Sequence, residues 1–113
     1  MRDDYLYRDV SAIERRVFRL GLATNYGVEG ADLEWALEQG VNYLFWTPNA
    51  RKVTPSLRAA LRRDRESLIL ATGPTTGYLG GGIKRACERL LKALGTEYID
   101  IFQIFWLGRT SLW

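Results

Sequence analysis

Leu91-Lys92-Ala93-Leu94-Gly95-Thr96-Glu97-Tyr98-Ile99-Asp100 is the stretch of this chain that decides its fold. The left half closes a helix in which Ile83, Ala86, Cys87, Leu90, Leu91 and Leu94 recur at helical spacing. Gly95 stands where a helix C-terminus needs a residue that tolerates a left-handed backbone. The right half opens an apolar run over 98–106 (YIDIFQIFW), which predicts a strand. A helix that passes into a strand through one glycine is the joint of a βα repeat. The same joint lies upstream. Residues 31–39 carry Leu33, Ala36 and Leu37 on one face, Gly40 follows, and 41–47 (VNYLFWT) reads as a strand. Between these joints, Thr54-Pro55 predicts a helix over 54–63, with Thr54 as the N-cap hydroxyl and proline at the first helical position. Residues 67–72 (SLILAT) read as a buried strand and 73–82 as a glycine-rich loop.

At the front, 17–24 (VFRLGLAT) predicts the first strand, while 1–15 are polar, without a clear period. They read as an extended arm or a poorly ordered lead-in to a domain over 16–113. The order is βαβαβαβ. Near-continuous apolar strands alternating with amphipathic helices call for a parallel α/β sheet covered by helices. Right-handed crossovers leave an open sheet or an arc of a (β/α) barrel, and the pattern alone does not choose.

Composition narrows the chemistry. Sixteen basic and thirteen acidic residues give a net charge of +3, and the two signs are interspersed. The densest basic run, Arg58, Arg62, Arg63 and Arg65, is broken by Asp64 and Glu66. It reads as a solvated helix face, so no nucleic-acid partner is expected. Cys87 is the only cysteine, which excludes an intramolecular disulfide, and its place on the apolar helix face predicts a buried structural thiol. Histidine is absent. That removes His-based acid-base work, Ser-His and Cys-His nucleophiles and the commonest zinc ligand, and no metal site is expected. No stretch approaches the roughly 18 apolar residues of a membrane span. Asp3, Asp4, Asp9 and Glu14 interrupt the N-terminus where a signal peptide would be apolar. A soluble, cytoplasmic protein without a membrane partner is expected.

RLGLAT from Arg19, ALEQGVNY from Ala36 and LKALGTEYID from Leu91 resemble the aldo-keto reductase family in register and spacing. The last of these is the most specific. The resemblance runs from about Val17 to Trp106 and implies a partial (β/α)8 barrel of about four parallel βα units. Complete barrels of this type run to about 250 residues or more. It also implies carbonyl reduction, in which NADPH delivers a hydride while an aspartate, a tyrosine, a lysine and a histidine manage the proton. In this sequence the aspartate position of the family's motif is Phe45 and the tyrosine position is Ala50. The lysine position is Gly73, after Thr72, and the histidine position is Phe105, before Trp106. Neighbours Trp46, Asn49, Pro74 and Ile104 do not rescue the roles. None of the four can donate or relay a proton. By the same resemblance only the neighbourhood of Thr24 would remain near a nicotinamide, so no cofactor is expected for this chain alone.

Three readings follow. The first is a truncated, non-catalytic aldo-keto reductase-like domain, in which Phe45 and Phe105 turn the old active-site floor apolar and fill it. The second is a divergent oxidoreductase, active within a longer chain or an assembled barrel. The third is a small-ligand or anion-binding module built on Gly80, Gly81, Gly82 and Lys84, at a helix start. An arc ending after its fourth strand has two open edges. Self-association, or pairing with a complementary half-barrel, is therefore expected.

Overall fold

The computed structural model of the chain describes residues 5–74 and 80–105. Four strands form a parallel sheet in the order β3-β4-β5-β6, comprising β3 (Leu22–Ala23), β4 (Tyr43–Phe45), β5 (Ile69–Thr72) and β6 (Ile101–Phe102). Helices α1 (Gly30–Glu38), α2 (Thr54–Asp64) and α3 (Gly82–Leu94) connect them. The partial-barrel expectation is borne out. Among the described residues no helix is long and apolar enough to cross a membrane.

The helices cover one face of the sheet. Leu44 and Leu70 lie in register and join Leu33, Leu57, Leu61, Leu90 and Leu94 in a single buried core. Period-two alternation sends Tyr43, Phe45, Ala71 and Ile101 to the opposite, concave face. Trp46 is buried at the end of β4, where its indole Nε1–H donates to Thr54 Oγ1 (3.0 Å). That hydroxyl in turn donates to the Ala50 carbonyl (2.7 Å). Thr54 therefore does not cap α2 as expected. It occupies the first turn, Val53 takes the cap position, and its oxygen serves the tryptophan.

The α3–β6 joint carries the densest polar work. Gly95 takes the left-handed conformation (φ 67°) and its N–H donates to Leu91 O, as expected. Asp100 then stands in for a backbone carbonyl: its Oδ2 accepts from the Leu70 N–H (2.8 Å). The same oxygen pairs with Arg65 (2.9 Å), and Oδ1 lies 3.7 Å from Arg15. Arg65 also donates to Thr96 Oγ1, Leu68 O and Tyr98 O and lies 3.7 Å over the Tyr98 ring.

Four expectations need correction. The described part of the lead-in, expected as an extended arm or poorly ordered, forms a hairpin: β1 (Tyr7–Val10) pairs antiparallel with β2 (Arg15–Phe18). Tyr7 packs edge-on against Phe18 at 5.3 Å, and Arg16 lies 5.2 Å over the Tyr7 ring. Asn42 clamps the hairpin to the sheet, accepting from Phe18 N–H (2.8 Å) and donating to Arg16 O (2.9 Å). Consequently the strand expected over 17–24 is two strands, β2 and β3, which belong to different sheets. The strand expected over 98–106 is regular only at Ile101–Phe102, although the Asp100 N–H already donates to Leu70 O (3.1 Å); Trp106 lies outside the described residues. Finally, Cys87 is half-buried, not buried, because it sits at the margin of the α3 stripe that packs on the sheet.

Candidate functional site

In a parallel α/β sheet the chemistry gathers where the strands end, at their carboxyl edge. Four of the expected site residues fall there. Phe45 is the last residue of β4 and points to the concave face, and Phe105 follows β6. Their rings meet edge to face, with centroids 5.6 Å apart and planes at 89°. The positions that would hold a carboxylate and an imidazole thus hold an aromatic pair.

Gly73 follows β5, buried against the β6 backbone. A β-carbon built on it would overlap the Gln103 carbonyl oxygen and lie 2.7 Å from the carbonyl carbon. The Gln103 N–H donates to Thr72 O (2.9 Å), so that backbone is fixed in the ladder. No side chain, lysine included, fits at Gly73 unless β5 and β6 move apart. Ala50 is buried in the helix-side core beside Val53, and its carbonyl receives the Thr54 hydroxyl. Thr24 is nearly fully buried, and its N–H (2.9 Å) and hydroxyl (2.8 Å) both donate to Phe45 O.

These residues do not share one cavity. Phe45, with Tyr43, Ala23 and Ile101, lines an open apolar cleft of about 510 Å³ on the concave face. The hairpin supplies another wall through Val10 and Ile13, which were expected in the arm, and Val17, which was expected in the first strand. Thr24 and Ala50 line a separate cleft of about 300 Å³, with Asn25, Asn49, Arg51 and Lys52. Gly73 lines a third, of about 340 Å³, with Pro48, Pro74 and Ala86. Ile99, ahead of the regular strand, packs against the helix-side core. The concave floor is lined with apolar side chains yet remains open, so it is not the filled core expected.

The glycine loop lies partly outside the described residues. Within them Gly80 (φ 59°) and Gly81 (φ 78°) are left-handed, and Gly82 begins α3. Arg85 folds back so that its guanidinium donates to Gly80 O (3.0 Å). Lys84 is exposed in the first turn. Lys52 pairs with Glu29 at 3.6 Å, both largely exposed. Among the described residues no three His, Cys, Asp or Glu side chains gather as a metal site would require.

No family model matches the chain, and no curated protein does. Solved structures do. The fold superposes with a TM-score of 0.71 on an aldo/keto reductase from Klebsiella pneumoniae in complex with NADP and acetate, at 23% identity. That match covers 86% of this chain and 38% of the other. The holo form of an aldo-keto reductase from Bacillus halodurans gives a TM-score of 0.67 and 27% identity, over 87% of this chain and 39% of that one. A second Klebsiella pneumoniae aldo-keto reductase structure, in complex with NADPH, gives a TM-score of 0.68 and 23% identity over 84% and 37%. The resemblance to the aldo-keto reductases is borne out: the described arc has the fold of part of their barrel. The chain spans less than half the length of these structures.

Proposed function

We propose that this chain is an aldo-keto reductase-like half-barrel that does not itself reduce carbonyls and acts as a structural or regulatory module. One observation carries the reading. At the position where the family places its lysine, the chain has Gly73, and the Gln103 backbone fills the space where a side chain would begin. A missing lysine on an otherwise intact site could be restored by one substitution. Here the β5–β6 spacing itself has no room for it.

The solved structures that hold NADP or NADPH are those of other proteins, and the residues here do not fit a nicotinamide cofactor. Thr24 is buried and spends its hydroxyl on Phe45 O. Beside it, the Phe45–Phe105 pair presents carbon to a ring whose amide needs hydrogen-bond partners.

The test is a fluorescence titration of the full chain with NADPH, together with an absorbance assay of NADPH consumption over a panel of aldehydes. No quenching at millimolar cofactor and no turnover are expected. Turnover that disappears when Lys52 or Tyr43 is replaced would overturn the reading and favour a divergent oxidoreductase.

A further inference from the structure

The basic run over 58–65 divides in the structure. Arg63 turns toward α1 and pairs with Glu34 (3.3 Å), and Arg65 is held by Asp100 (2.9 Å). Arg58 turns the other way, to α3, where its guanidinium donates to Lys92 O and Ala93 O. Arg62 stands one turn beyond Arg58 on the same edge of α2. On α3, Arg85, Arg89 and Lys92 fall within about 60° of helix surface, as 3.6 residues per turn requires. Arg62, Arg58, Lys92, Arg89 and Arg85 thus form a basic strip along the seam between the two helices.

The strip is not neutralised from within. Residues 54–94 hold eight of the chain's sixteen basic residues and only three of its thirteen acidic ones, an excess that the small net charge conceals. Glu88 is the one acid on α3, and its position lies toward the flank of Lys84, away from α2. Arg62, Arg85, Arg89 and Lys92 are exposed, and among the described residues none of them has a carboxylate within ion-pair distance. Beside the strip, the cleft of about 340 Å³ has apolar walls from Pro48, Pro74, Ala86, Leu90 and Ala93, and Arg89 lines it too.

We infer that the α2–α3 seam docks an acidic segment of a partner protein, with carboxylates on Arg62, Arg89 and Lys92 and one aliphatic side chain in the cleft. The inference deepens the module reading above by naming the chemistry of its partner. Guanidinium groups match carboxylates through paired N–H donors, and a strip of one sign draws in a segment of the other. Eight residues of rise on α3 and one turn of α2 make the strip roughly 18 Å long. An extended peptide of about five or six residues spans that length. Nucleic acid fits less well, because neither helix carries an aromatic side chain on which a base could stack. An apolar cleft beside the charges suits a side chain and offers nothing to a phosphate.

The experiment is fluorescence anisotropy of the full chain against a labelled peptide, a leucine flanked on both sides by glutamates. Saturable binding is expected, tighter at low salt than at physiological salt. Arg62→Glu and Arg89→Glu should each weaken it at least about fivefold, while Lys84→Glu, the same charge change on the far flank of α3, leaves it within about twofold. Serine in place of the peptide's leucine should weaken binding about tenfold. Helical circular dichroism checks each variant, and should one charge reversal unfold, the other, on a different helix, decides. Absence of binding at low salt overturns the inference. So does an equal loss with Lys84→Glu, indifference to the leucine, or tighter binding of a single-stranded DNA of equal charge. The two readings fail separately: carbonyl turnover by the chain sinks the non-reductase function, whereas an inactive chain that ignores the peptide sinks only the docking seam.

Discussion

Single residues settle what this arc can do, and Gly73 settles the most. Its missing side chain is a steric requirement of the β5–β6 contact. Gly73→Ala is expected to destabilise the chain by about 3 kcal/mol, the upper end for overpacking, read as a lower urea midpoint. A loss under about 0.5 kcal/mol would show that the strands yield easily, and the argument against a lysine there would fall. Asp100 is legible in a different way. It ends the stretch that carries the family likeness, and its carboxylate holds Arg65, Arg15 and the Leu70 N–H together. Asp100→Ala removes the partner of a largely buried guanidinium and should cost about 3 kcal/mol in the same measurement. The emptiness of the proton-transfer positions was readable from residue types alone, because phenylalanine, alanine and glycine lack the groups in any fold. The contact that makes Gly73 obligatory was not, since Gln103 is thirty residues away in the chain.

Elements depend on short-range rules where those rules are strong, and on distant partners elsewhere. The helices and their glycine caps lie within one or two residues of the expected positions, because apolar periodicity and left-handed caps are local properties. The α2 start shows where locality ends. Thr54 has every local attribute of an N-cap, yet its hydroxyl is taken by the indole of Trp46. Thr54→Val should leave that buried N–H without an acceptor and cost about 1–3 kcal/mol, with a change in tryptophan fluorescence. An unchanged emission spectrum and midpoint would count against the bond. The hairpin was missed for a related reason. Tyr7–Val10 and Arg15–Phe18 bury little by themselves and owe their place to Asn42, which bonds β2 through both amide atoms. Asn42→Ala is expected to speed amide exchange at Phe18 and to cost about 1–2 kcal/mol. Exchange there as slow as in the parent protein would contradict the clamp.

At the scale of the whole molecule, one face of the sheet is finished and the other is not. The helix-side core around Leu44, Leu70 and Trp46 should hold the slowest-exchanging amides, those of β4 and β5. Faster exchange there than in the hairpin would mean that the core has been misplaced. By itself the sequence determined the alternation of strands and helices from β3 onward, the family likeness and the residue types at positions 45, 50, 73 and 105, since each depends on residue type and near-neighbour spacing. Only the tertiary structure decided the two-sheet N-terminus, the three separate clefts and the open concave face. These arise from contacts between residues dozens of positions apart, and nothing in local spacing encodes which distant backbone will fill a given space.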